Sequence, residues 1–268
     1  MRDSSPLRDV EAEADSVPLL EPGTPIDGAD HAKTIVAQEE RSEARRGDLL
    51  GTALVLVGIS TMVLTVWIKI WSVGWATLNE FALHPTFNVL GISIISLGIL
   101  TLQPSKHPRT KVAGLWRHQR IMLGLAVPCL IIGTAAIIIY KAHRGSAHFK
   151  SLHAVTSGTL CSLLARDPVI LGAGSVWFNG RLFSKDKEHA KAVWKWHRAS
   201  GYLLFLLFQV VIWAGVQYTH FFHEHASAVT RIVFFNLAPL LVVVGIWSRS
   251  RLSKMPLLGP NRWPASNH

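Results

Sequence analysis

Six long apolar stretches follow a polar start: residues 49–68, 86–103, 121–140, 152–178, 199–219 and 229–247. Most reach the roughly 20 residues that a helix rising ~1.5 Å per residue needs to cross a hydrocarbon core of about 30 Å. None alternates apolar and polar positions as barrel strands do, so helices must satisfy their backbone groups in lipid. The pattern predicts an all-α fold, a six-helix transmembrane bundle over residues 48–250. Residues 1–47 are polar and lack apolar periodicity, which predicts a disordered tail with no signal peptide. Residues 251–268 make a short second tail. The fourth stretch is interrupted by Arg166-Asp167-Pro168, where charge and proline both oppose a buried helix. Either that helix kinks with the Arg–Asp pair facing protein, or the stretch is an anomaly such as retained non-coding sequence.

Composition agrees with a membrane class: 49% of residues are hydrophobic and 16% charged, with a mean hydropathy of +0.29. The net charge of +10 hides an asymmetry, because 11 of 17 acidic residues lie in residues 1–47. Beyond them the chain is strongly basic. Its cations gather in residues 41–46, 106–120, 181–198 and 249–254, while the alternate loops hold Lys69, Lys141, Arg144, Lys150 and Arg231. The positive-inside rule makes the richer side cytosolic and puts both tails there. The basic excess then faces loops and anionic lipid headgroups, and no pattern points to a nucleic-acid partner. Cys129 and Cys161 lie in apolar runs without metal-ligand spacing and read as core residues. In the tail, Asp15-Ser16-Val17-Pro18-Leu19-Leu20 resembles an acidic dileucine sorting signal, which would direct the chain to endosomal, lysosomal or vacuolar membranes.

Four histidines change the picture from a membrane bundle to a candidate redox protein. His84 and His153 open the second and fourth segments, both running inward from the non-cytosolic side. His118 and His197 open the third and fifth, both running outward from the cytosol. One pair therefore falls at each face, on helices of shared direction. Two bis-histidine haems stacked along a four-helix core require this sorting, because each iron takes two imidazoles at one depth. Gly201 follows His197 by one turn and Gly91 follows His84 by two, leaving room for a flat macrocycle, while Gly124 and Gly158 are less well phased. Any single histidine near a headgroup reads equally well as an interfacial polar residue. The joint pattern on segments two to five favours ligands.

Residues 48–250 resemble the cytochrome b561 family. The likeness rests on Leu83-His84-Pro85, a basic loop followed by His118, Tyr140-Lys141-Ala142-His143, Ser151-Leu152-His153 and Trp196-His197-Arg198-Ala199-Ser200-Gly201-Tyr202. The resemblance implies two b-type haems, His84 with His153 on the outer side and His118 with His197 on the inner. It implies a homodimer and transfer of one electron from cytosolic ascorbate to monodehydroascorbate or a ferric chelate across the bilayer. Arg109, Lys111 and Arg117 are then candidates to hold the ascorbate anion, with Lys195 and Arg198 adding charge to the same mouth. His143 resembles a histidine near the second substrate site. Simple positive-inside topology explains the same cations equally well, and a solvated loop explains His143.

No flavin or nicotinamide fingerprint is present, and no base or nucleophile triad, so the donor is a small molecule or a separate protein. A transporter or channel would need charged groups at mid-depth facing a pore, and Arg166 and Asp167 are the candidates. A haem-free membrane scaffold is the third reading.

Overall fold

A computed structural model describes residues 26–102, 107–161 and 187–250. The dileucine-like segment, Arg166-Asp167-Pro168 and the tail after Ser250 lie outside them, so the interrupted half of the fourth segment is not described. Among the described residues the structure is helical without strands, as the apolar pattern predicts. We number the helices α1 (Ile26–Glu43), α2 (Asp48–Val73), α3 (Trp75–Leu100), α4 (Pro108–His143), α5 (Leu152–Val155, continued by a π-turn over Thr156–Cys161), α6 (Lys187–Tyr218), α7 (His220–His225) and α8 (Ala228–Arg249). Five described stretches are long and apolar enough to span a bilayer: α2, α3, α4, the Trp196–Tyr218 portion of α6, and α8. Their outward faces carry Leu64, Ile68, Ile131, Ile138, Leu203, Val210 and Leu240, all exposed, which suits lipid rather than water.

The helix ends differ from the apolar boundaries. His118 and His197 were expected to open their helices, yet α4 begins ten residues before the first and α6 ten before the second. The apolar run marks where lipid begins; the backbone helix continues past it on polar residues. Pro108 sits in the first turn of α4, where its missing N–H costs nothing. Ser151 caps α5 by accepting from the Ala154 N–H at 3.2 Å, and Ser227 caps α8 by accepting from the Thr230 N–H at 3.1 Å. Two internal π-turns have a common cause. Met122–Ala126 precedes Pro128 and Val233–Leu237 precedes Pro239, and each proline removes a donor and crowds the carbonyl four residues back.

α2 and α8 pack against each other through small residues. A Cβ on Gly51 would lie 2.5 Å from Ser248 Oγ, and one on Gly245 would lie 2.5 Å from the Gly51 carbonyl. This close approach is the means by which membrane helices gain packing contact. Arg249 closes one end, donating to the Asp48 carbonyl at 2.9 Å and to Thr52 Oγ1. Arg45 donates to the Arg249 carbonyl at 2.8 Å and to Asp48 Oδ1 at 3.1 Å. The start of α2 and the end of α8 therefore share one end of the bundle. Between these helices and α3 and α6 lies a core of Val55, Met62, Ile70, Phe205, Phe235 and Val242.

Residues 26–43, expected within a structureless tail, instead form α1 and pack on α4. The physical reason is charge. Glu43 is buried, accepting from the His107 N–H at 2.7 Å and from Thr110 Oγ1 at 3.0 Å. Glu39 pairs with Arg109 at 3.6 Å, and Glu40 pairs closely with Arg117. An acidic face that docks on cations leaves no apolar periodicity to read.

Candidate haem sites

The structure brings the four histidines into two facing pairs. The ring centroids of His84 (α3) and His153 (α5) lie 6.1 Å apart at an interplanar angle of 75°. Those of His118 (α4) and His197 (α6) lie 6.4 Å apart, also at 75°. The pairing expected from helix order is the pairing found.

Hydrogen bonds fix how three of these rings point. His84 Nδ1 meets the Gly133 carbonyl at 3.0 Å, His118 Nδ1 the Gly98 carbonyl at 3.1 Å, and His153 Nδ1 the Val211 carbonyl at 3.0 Å. A carbonyl only accepts, so the tautomer with its proton on Nδ1 satisfies each contact and leaves Nε2 a free lone pair. Such a backbone partner is the usual outer support of a metal-binding imidazole. The contacts are also reciprocal. α3 carries His84 and the acceptor for His118; α4 carries His118 and the acceptor for His84. The fourteen-residue offset from His84 to Gly98 sets the two levels about 21 Å apart along the axis.

These pairs fit a haem. An iron held at about 2.0–2.1 Å from two imidazole nitrogens, each ring centroid about 1 Å beyond, puts the centroids about 6.2 Å apart. Both observed separations fall within a few tenths of an ångström of that value. Among the described residues no group of three or more His, Cys, Asp or Glu is arranged to hold a metal by itself. A set of two facing histidines suits a metal whose other ligands come from a macrocycle.

The glycine expectations divide. A Cβ on Gly201 or Gly124 meets nothing within 4 Å, whereas one on Gly91 would strike Leu130 at 2.9 Å and one on Gly158 the Phe149 ring at 2.0 Å. Gly91 and Gly158 thus serve protein packing and do not border open space. Three other glycines support the histidines. Gly98 and Gly133 supply carbonyls, and a Cβ on Gly215 would sit 3.0 Å from the His153 ring. Asn88, one turn beyond His84, also brings its carboxamide Nδ2 to the same Nδ1 at 2.9 Å. The four-residue spacing from His84 to Asn88 was a readable signal; the carbonyl of Val211 offers none.

Arg109, Lys111 and Arg117 follow one another along the first turns of α4, ahead of His118. Arg109 and Arg117 engage Glu39 and Glu40 of α1. Arg198 is half-buried next to His197, and the Lys195 side chain lies outside the described residues. His143 ends α4 at the other face, exposed and 3.3 Å from the Glu80 carboxylate. Nearby, Tyr140 packs on Phe81 at 5.5 Å and under the Arg144 guanidinium at 4.7 Å. Cys129 is a free thiol near Gly91, and the Cys161 side chain is not among those described.

Comparison with protein families matches residues 83–223 to the family described as eukaryotic cytochrome b561. No curated protein and no solved structure matches the chain. The matched region covers over half of the 268 residues and contains all four histidines. On that match the chain belongs to the eukaryotic cytochrome b561 family, and it is a membrane protein that transfers electrons across the bilayer by b-type haem.

Proposed function

We propose that the protein is an ascorbate-dependent transmembrane oxidoreductase with two haem b groups, one held by His84 and His153, the other by His118 and His197. The observation that carries this reading is the pair of imidazole separations, 6.1 and 6.4 Å, each spanning what one iron with two nitrogen ligands needs. Haem, when bound, supplies a centre that takes up and releases one electron at a time. The chain's own residues do the rest. His84, His118 and His153 are held by carbonyl acceptors that favour a proton on Nδ1 and leave Nε2 for a metal.

On the cytosolic side, the family likeness and the run of Arg109, Lys111 and Arg117 support a mouth for the ascorbate anion, to which Lys195 and Arg198 add charge. An incoming anion competes there with Glu39 and Glu40 for the same guanidinium groups. On the opposite face, His143 beside Glu80 supports a landing place for monodehydroascorbate or a ferric chelate. In the net reaction ascorbate loses one electron and a proton inside, and the acceptor gains one electron outside. The basic loops support cytosolic termini, the dileucine-like segment supports an endosomal or vacuolar membrane, and the family likeness supports a homodimer.

The test uses the full-length, haem-loaded protein in sealed vesicles with a ferric chelate trapped on the face opposite to added ascorbate. Reduction of the trapped chelate is expected, and its loss in His118→Ala and in His84→Ala. Haem that ascorbate does not reduce from either face would contradict the donor.

A further inference from the structure

We infer that Asn88 is a positioning residue of the outer haem site, lowering that haem's potential by sharing the Nδ1–H of His84. The inference rests on His84 being a haem ligand, as proposed above. Three observations carry it. Asn88 lies one turn after His84, and its carboxamide Nδ2 stands 2.9 Å from Nδ1 while the Gly133 carbonyl reaches the same atom at 3.0 Å. The carboxamide is also fitted into a space that only a glycine leaves: a Cβ on Gly133 would stand 2.8 Å from both Asn88 Cγ and Oδ1. At His118 and His153, among the described residues, a carbonyl meets Nδ1 without a side chain sharing it.

Chemistry then orients the amide. A histidine that binds iron through Nε2 must carry its proton on Nδ1, and that proton already points to Gly133. An amide N–H facing it would set donor against donor. Turning the carboxamide by 180° exchanges its oxygen and nitrogen in place, and Oδ1 becomes the second acceptor on one N–H. Two acceptors draw the proton further from the ring than one. The ring becomes a stronger electron donor to a bound metal, favouring the ferric over the ferrous state. Asn88 thereby makes the outer haem more strongly reducing than it would be with the Gly133 carbonyl alone, beside the face where the acceptor is met.

The experiment is a spectroelectrochemical titration of the purified full-length, haem-loaded protein, with haem content and ferric low-spin spectra recorded alongside. In Asn88→Ala one midpoint is expected to rise, by about tenfold in the oxidised-to-reduced ratio or ~59 mV for a one-electron couple, while the other stays. Asn88→Asp keeps an oxygen acceptor and is expected to hold that midpoint at or below its original value. If Asn88→Ala loses one haem, restored content in Asn88→Asp supports the role and unrestored content overturns it. Two unmoved midpoints, or two that move together, overturn it while leaving the haem reading intact. Absence of any bis-histidine spectrum in the unaltered protein overturns both.

Discussion

Each histidine that gives its Nδ1 proton to a carbonyl is committed to a single outward nitrogen. His84, His118 and His153 are all so committed, and the paired rings stand 6.1 and 6.4 Å apart. Replacing one ligand of a pair should empty that site and spare the other. We expect His153→Ala and His118→Ala each to lower haem content from two per chain to one, and the double variant to lower it to none, by pyridine haemochrome assay. Loss of both haems from one substitution would argue for a single shared site. Gly215 tests the packing behind His153. A Cβ there would come within 3.0–3.1 Å of the ring, and overpacking of this kind costs about 1–3 kcal/mol. Gly215→Ala is therefore expected to shift the low-spin spectrum of one haem and lower the melting temperature; an unchanged spectrum would mean the ring gives way freely.

Among the elements, α1 is the one that the chain's polarity pattern conceals. The apolar stretches carry the existence of the spanning helices, because burial in lipid demands it. They do not carry the helix ends, so His118 and His197 stand ten residues inside α4 and α6, not at their openings. The histidine pairing was legible because helix direction alone sorts His84 with His153 and His118 with His197. The supports were not, apart from Asn88 at four-residue spacing, since carbonyls from Gly98, Gly133 and Val211 have no side-chain signature. Charges on α1 carry their own prediction. Exposed ion pairs contribute about 0.2–1 kcal/mol, so removing Glu39 and Glu40 should free Arg109 and Arg117 for an anion. We expect Glu39→Gln with Glu40→Gln to lower the KM for ascorbate up to about fivefold, with kcat little changed. A raised KM would mean that α1 helps to form the mouth. The α2–α8 contact belongs at this scale too. Gly245→Val forces the Gly51 backbone away, and thermal unfolding in detergent should fall by about 1–3 kcal/mol of stability while haem content holds. An unchanged melt would show that the two helices separate without consequence.

Taken whole, the molecule is a reciprocal pair of antiparallel helices, α3 and α4, each lending a histidine to one level and a carbonyl to the other. α5 and α6 face them with the second imidazole of each pair, and α2 and α8 close the bundle with glycine-mediated contacts. The fourteen-residue offset from His84 to Gly98 separates the two levels by about 21 Å, most of a hydrocarbon core of about 30 Å. The central claim is therefore a number and a ligation state. The most direct measurement is the haem-to-protein ratio of the purified, haem-supplemented full-length chain, read together with its ferric spectrum. Two haems per chain, both low-spin with two histidine ligands, is the result expected. One haem, or a high-spin iron at either site, would contradict the paired-histidine account.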